Sequence, residues 1–191
     1  MRVGVFALQG DVREHLRTLD SMAIEAIEVR NSTELASVDG LILPGGESTT
    51  ISKLIDIFSL RESLDDFIAS GKPVFGTCAG MIMLAKEVLD AASGQRSLEA
   101  MDISVRRNAF GSQLDSFETD VEFDGKITNV AFIRAPIVER VGPGVEVLST
   151  LPSGAVVAVR EGNLLATAFH PELTGDNSVH EYFVAMVSKS L

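Results

Sequence analysis

One stretch limits what this chain can become more than any other: Gly71-Lys72-Pro73-Val74-Phe75-Gly76-Thr77-Cys78-Ala79-Gly80-Met81-Ile82-Met83-Leu84-Ala85. It reads as a short apolar strand, a tight turn and an apolar helix, with Cys78 at the apex. Gly76 and Gly80 give the G-x-C-x-G form of a nucleophile elbow, in which small neighbours let the backbone double back and present one side chain above a sheet. The helix that starts after Cys78 directs its free N–H groups and the positive end of its dipole at the sulfur, which favours thiolate over thiol. A cysteine so placed is a candidate nucleophile toward a carbonyl carbon. On this stretch alone the other reading also stands, since a lone cysteine is commonly a small buried hydrophobe.

The segments before the elbow tell which sheet it belongs to. Val3-Gly4-Val5-Phe6-Ala7-Leu8 is a continuous apolar run of strand length, the pattern of a parallel strand covered by helices on both faces. Gln9-Gly10 turns the chain, Asp11 is placed as a helix N-cap, and Val12, Leu16, Leu19 and Ala23 share one helical face. Residues 24–29 and 39–43 predict the second and third strands, and 51–58 and 60–68 predict helices. The strand–helix unit is thus repeated four times up to the elbow. That predicts an α/β fold: a three-layer, doubly wound, mainly parallel sheet.

Beyond Leu89 the texture changes to short strand-like segments at 103–107, 117–123, 130–133, 145–151, 155–159 and 164–169, separated by turn residues. Several are expected to pair antiparallel as an addition to the main sheet. Val179, Phe183, Val187 and Leu191 recur every four residues and predict a terminal amphipathic helix over 177–191.

Two places at strand ends carry candidate chemistry. The third strand ends in Pro44-Gly45-Gly46-Glu47-Ser48. In open α/β sheets such a loop lines the ligand crevice, and a Gly-Gly pair can aim backbone N–H groups at an anion. The pair equally suits an ordinary tight turn. It is no phosphate-binding P-loop, because no Gly-Lys-Ser/Thr follows. The last apolar strand ends in His170-Pro171-Glu172. If it runs parallel to the Cys78 strand, His170 is delivered at the same carboxyl edge, and Glu172 can orient the imidazole as the acid does in hydrolase triads. His15, in the first turns of a helix, and His180, in the terminal helix, sit where an exposed or packed imidazole is the ordinary expectation. Three scattered histidines and one cysteine lack metal-ligand spacing, so no metal is expected.

Composition bounds the partners. A chain of 191 residues, 46% hydrophobic and without a linker-like break, can bury one core, so a single domain over 1–191 is expected. Twenty-seven acidic against sixteen basic residues give a net charge of −11, which opposes binding to nucleic acid or anionic lipid. No apolar run approaches the roughly 18 residues of a membrane span, and Met1-Arg2 leads into a strand rather than a signal peptide. A single cysteine forms no internal disulfide, and the expected location is cytoplasmic.

The motifs carry a resemblance. Gly76-Thr77-Cys78-Ala79-Gly80 with His170-Pro171-Glu172 resembles the Cys-His-Glu triad of the class I glutamine amidotransferases, and the similarity extends over nearly the whole chain. Further blocks resemble, more narrowly, the glutaminase subunits of pyridoxal 5′-phosphate synthase. They are the segment from Gly4-Val5 through Leu8-Gln9-Gly10, Arg13-Glu14-His15, the segment from Leu43 through Gly45-Gly46-Glu47-Ser48-Thr49-Thr50, Arg107-Asn108-Ala109-Phe110-Gly111, Asp115-Ser116-Phe117-Glu118, Phe132-Ile133-Arg134-Ala135-Pro136 and Phe169-His170-Pro171-Glu172-Leu173-Thr174. Ser112 departs from the pattern, standing where arginine is expected in many relatives.

The resemblance implies a flavodoxin-like amidotransferase fold and hydrolysis of L-glutamine to glutamate and ammonia without a cofactor. It implies Cys78, His170 and Glu172 as catalytic residues, and an oxyanion hole from the N–H groups of Gly46 and Ala79. It further implies a glutamine site made by Gly46, Glu47, Ser48, Arg107, Ile133 and Arg134, in which Glu47 with Ser48 receives the ammonium end and an arginine pairs with the α-carboxylate. The ammonia would pass to a separate synthase subunit in a large hetero-oligomer, which assembles the cofactor from a pentose phosphate and a triose phosphate. Docking of that subunit is expected to reorient a peptide in the Gly45-Gly46 loop, with the helix after Asp11 and the neighbouring sheet edge as docking surfaces. Two other readings are an amidotransferase subunit of histidine or purine synthesis, which should lack the combined Gln-Gly and Phe-Ile-Arg-Ala-Pro blocks, and a non-enzymatic binding or redox-sensing module, against which the intact His-Pro-Glu argues.

Overall fold

A computed structural model describes residues 1–109 and 116–191. The Phe110-Gly111 end of one motif block, Asp115 and the Ser112 departure lie outside the described residues.

The first half realises the strand–helix alternation as β1 (Val3–Phe6), α1 (Val12–Ser21), β2 (Ala26–Val29), α2 (Ser32–Ala36), β3 (Gly40–Leu43), α3 (Ser48–Ile57), α4 (Arg61–Ala69), β4 (Val74–Thr77) and α5 (Ala79–Leu84). The second half is mostly strand: β5 (Ala85–Val88), β6 (Met101–Arg106), β7 (Phe117–Phe123), β8 (Lys126–Phe132), β9 (Ile137–Val141), β10 (Glu146–Thr150), β11 (Val156–Glu161) and β12 (Leu164–Thr167). A 3₁₀ turn over Pro171–Leu173 and α6 (Ser178–Ser190) close the described chain.

The main sheet runs β2-β1-β3-β4-β12-β11-β9-β6-β5, with β10 also paired to β11. Its first five strands are all parallel. The continuous apolar runs have their physical reason here, because β1, β3, β4 and β12 are buried at every residue, with no face left for water. From β11 onward the sheet turns antiparallel through β9 to β6. The α/β class, with a mainly parallel sheet and antiparallel additions, therefore holds.

Three details differ from expectation. β7 and β8 pair with each other as a separate two-stranded sheet rather than extending the main one. Residues 137–141 form an unexpected strand, β9, whose burial does not alternate cleanly. The apolar helix after Cys78 stops at Leu84 because Ala85 goes over to extended backbone and pairs with Met101. The terminal helix buries Val179, Phe183 and Val187 as its spacing predicts, while Leu191 is exposed. Among the described residues no helix is long and apolar enough to cross a membrane.

Candidate active site

The elbow is a set of close backbone contacts. A Cβ on Gly76 would lie 2.5 Å from the Gly80 carbonyl, and one on Gly80 would lie 2.1 Å from the Leu43 carbonyl oxygen. Neither position has room for a side chain, which explains the G-x-C-x-G spacing. Cys78 itself sits at φ 47°, ψ −100°, a region that residues with a Cβ rarely occupy and that is typical of strained functional turns. Its N–H donates to the Thr167 carbonyl at 2.8 Å, tying the elbow to the end of β12. Cys78 is 7% exposed, and its sulfur lies 3.8 Å from the Ile133 carbonyl oxygen.

β12 runs parallel to β4 with Thr167 opposite Thr77, so Cys78 and His170 leave the same edge of the sheet. The His170 N–H donates to the Ala131 carbonyl at 2.8 Å. Pro171 then opens the 3₁₀ turn that folds Glu172 back, and Nδ1 of His170 lies 2.8 Å from Glu172 Oε1. The imidazole and the Cys78 sulfur open on the same cavity. With Nδ1 engaged by the acid, Nε2 is the nitrogen left for the sulfur.

Burial disfavours charge on His170, but the hydrogen bonds and opposite charges supplied by Cys78 and Glu172 outweigh it and raise the imidazole from 6.5 to about 11. Burial likewise opposes ionisation of Glu172, yet His15 and His170 beside it hold the carboxyl down at about 2. The resting pair is thus an imidazolium held by a carboxylate.

Asp11 corrects the N-cap expectation. Its side chain makes no capping bond to α1; instead Oδ2 lies 3.4 Å from His170 Nδ1, and burial raises its pKa. Asp11, His170 and Glu172 offer ligand atoms within 4.8 Å of one another. Nδ1 of His170 and Oε1 of Glu172 already bond to each other, so the cluster reads as an acid–base set.

Cys78 and His170 open on a cavity of about 310 Å³. Gly46, Glu47, Ser48, Arg107, Ile133 and Arg134 all line it, and Ala79 begins the helix beneath, where the first N–H groups lack intrahelical acceptors. The Gly-Gly loop is clamped from two sides. The Gly45 carbonyl accepts from Asp11 N–H at 3.0 Å, and Glu47 N–H donates to Gln9 Oε1 at 2.8 Å. The Glu47 carboxylate caps α3, accepting from the N–H groups of Thr49 and Thr50 at 3.0 and 2.7 Å. Those bonds lower its pKa despite partial burial, so it presents negative charge at the rim. Arg107 donates to Gln95 Oε1 at 2.6 Å, and Gln95 Nε2 donates to Ser48 Oγ at 3.1 Å. Gln9, Asp11 and Gln95 are thus site neighbours that local pattern did not single out as such.

Solved structures set this architecture among the glutamine amidotransferases. A crystal structure of a glutamine amidotransferase superposes with a TM-score of 0.92 at 46% identity, covering 97% of this chain and 98% of that one. The structure of PurLQS from Thermotoga maritima shares the fold at a TM-score of 0.66 and 15% identity, with 99% and 96% covered. Residues 5–189 match the SNO glutamine amidotransferase family, and the chain belongs to that family. It is 57% identical over 196 residues to the pyridoxal 5′-phosphate synthase subunit PdxT of Salinispora tropica, covering 99% of this chain and 98% of that protein. To the PdxT of Acidothermus cellulolyticus it is 58% identical over 194 residues, covering 98% and 94%.

Proposed function

We propose that residues 1–191 act as one glutaminase domain that hydrolyses L-glutamine and supplies the ammonia to a pyridoxal 5′-phosphate synthase subunit. The observation that carries the chemistry is His170 held 2.8 Å from Glu172 and set with Cys78 at the mouth of an amino-acid-sized cavity. Near-complete alignment with relatives named as PdxT supports the pathway.

In this reading Cys78 attacks the side-chain amide carbon of glutamine. The negative oxygen of the tetrahedral intermediate is met by the N–H of Ala79 and one from the Gly46 peptide; loss of one such donor typically costs about 3 kcal/mol of barrier. The His170 imidazolium gives its proton to the departing ammonia, leaving a cysteinyl thioester. His170, now neutral, takes a proton from water, the hydroxide adds to the thioester, and glutamate leaves as the thiolate–imidazolium pair is restored. Glu172 holds Nδ1 throughout. Glu47 receives the substrate ammonium beside Ser48, and Arg107 and Arg134 are the cations available to the α-carboxylate.

Partner docking reorients a peptide of the Gly45-Gly46 loop to complete the oxyanion hole. Inverting the peptide after Gly45 breaks its bond from Asp11, and inverting the next one breaks the Glu47–Gln9 bond, so the resting loop resists the change. Full activity of the isolated chain, with the loop alike free and bound, contradicts this step.

The test is glutamate release from L-glutamine by the purified chain, alone and with a pyridoxal 5′-phosphate synthase subunit, with Cys78→Ala as control. Stimulation that vanishes in the variant is expected. Activity dependent on Cys78 but indifferent to that subunit overturns the pathway and leaves the glutaminase.

A further inference from the structure

Behind Glu172 lie two histidines that this chemistry does not use. His15 on α1 and His180 on α6 are both fully buried. His15 Nε2 lies 3.4 Å from Glu172 Oε1 and 3.2 Å from Thr77 Oγ1, while its Nδ1 lies 2.9 Å from His180 Nε2. Phe75 packs edge-on against both imidazoles, and Phe183 packs against Phe75.

The protons in this chain of contacts follow from one charge. An ionised carboxylate only accepts, so His15 must carry its proton on Nε2 to face Glu172. A neutral His15 then has a lone pair on Nδ1, which accepts from His180 Nε2–H. His180 Nδ1 is left as a buried lone pair, with no hydrogen-bond partner among the described residues. The Glu172 carboxylate is equally short of alternatives. Its side chain is fully buried, and among the described residues Oε2 has no hydrogen-bond partner while Oε1 faces both imidazoles. The ionisable groups around the set are Asp11 and Glu14 at the start of α1, His170 and Glu172 after β12, and His180 on α6.

We infer that His15 is a positioning residue for the glutaminase reaction: a neutral imidazole whose Nε2–H, beside Thr77, faces Glu172 at 3.4 Å and helps fix that carboxylate against His170, with His180 bonded to its Nδ1. The inference rests on the glutaminase reading above. Removing this N–H takes a favourable dipole away from the buried carboxylate and raises its proton affinity, so protonation at low pH frees His170 from its acid sooner.

Two measurements decide it. With only three histidines in the chain, imidazole ¹H–¹⁵N correlation spectra of the unaltered protein assign each tautomer. His15 and His180 are expected as neutral Nε2–H forms across the neutral range; an Nδ1–H or doubly protonated His15 overturns the inference. Glutamate release in the presence of the synthase subunit is then compared for His15→Leu and His15→Gln. The leucine variant should lose about tenfold in kcat with KM nearly unchanged, as for other groups that orient a catalytic ligand, and its acid limb should move to higher pH. Glutamine, which can donate an amide N–H to Glu172, should recover most of both. A folded leucine variant with unaltered kcat and pH profile overturns the role of His15 while the glutaminase stands. Absence of Cys78-dependent release from the unaltered protein overturns the glutaminase itself. If the leucine variant does not fold, the spectra and the glutamine variant decide.

Discussion

Gly80 is in backbone contact with Leu43: a methyl group on the glycine would lie 2.1 Å from the leucine carbonyl oxygen. The first turn of α5 therefore rests directly on the end of β3, and the position of Cys78 above the sheet depends on that contact. Gly80→Ala must push the two apart. Overpacking of this kind costs about 1–3 kcal/mol, and the displacement also moves the Ala79 N–H relative to the sulfur. Urea unfolding should show the stability loss, with glutamine turnover falling by more than the population of folded protein accounts for. Gly144→Ala, where the added carbon meets only Glu161 Oε1 at 3.5 Å, is the matched control and should change neither.

Arg107 is held toward the cavity by Gln95, which also reaches Ser48. If the guanidinium binds the substrate carboxylate in both ground and transition states, its loss removes uniform binding. Arg107→Ala should then raise KM for glutamine by about ten- to a hundredfold, the range of one charge-assisted contact, with little change in kcat. Gln95→Ala should move KM in the same direction by less. A fall in kcat at constant KM shows instead that Arg107 acts on the chemistry.

The central strands, the elbow and the His-Pro-Glu turn were legible because each is written in adjacent residues: unbroken apolar runs, glycines two positions either side of Cys78, a proline after His170. What escaped depends on distant partners. His15 meets Thr77 and His180, 62 and 165 positions away. One local sign pointed to it, for His15 precedes Leu19 by a turn, and both are buried on α1. Asp11 looks like an N-cap because acidic residues before helices usually are, but the carboxylate finds His170 instead. Gln95 lies in a segment without regular structure, so no periodicity marks it.

Glu172 contributes to the high proton affinity of His170 through a 2.8 Å bond and its charge. Glu172→Gln keeps the shape and removes the charge. It should lower kcat by about 10²–10⁴-fold, since the acid of a triad sets tautomer and stabilises the imidazolium. The His170 resonances in imidazole spectra should also titrate at lower pH than in the unaltered protein. Unchanged titration in a folded variant removes Glu172 from the triad.

The buried imidazoles also fix how stability varies with pH. Burial lowers the pKa of His15 and, helped by His15, carries that of His180 from 6.5 down to about 3. Below 6.5 the unfolded chain therefore binds protons that the folded chain refuses, and stability falls as pH drops. Glu172, depressed from 4.5 to about 2, adds to this loss over that lower window. His170 has the opposite sign. Raised from 6.5 to about 11 despite its burial, it contributes stability that is complete below 6.5 and drains away as pH rises toward 11. Urea unfolding free energy should accordingly peak near neutrality and decline on both sides. His180→Phe should flatten the acid side, because a ring that cannot charge has nothing to gain on unfolding, and His170→Gln should flatten the alkaline side. An acid limb that keeps its slope in His180→Phe assigns the acid sensitivity to other groups, leaving His180 with no share in it.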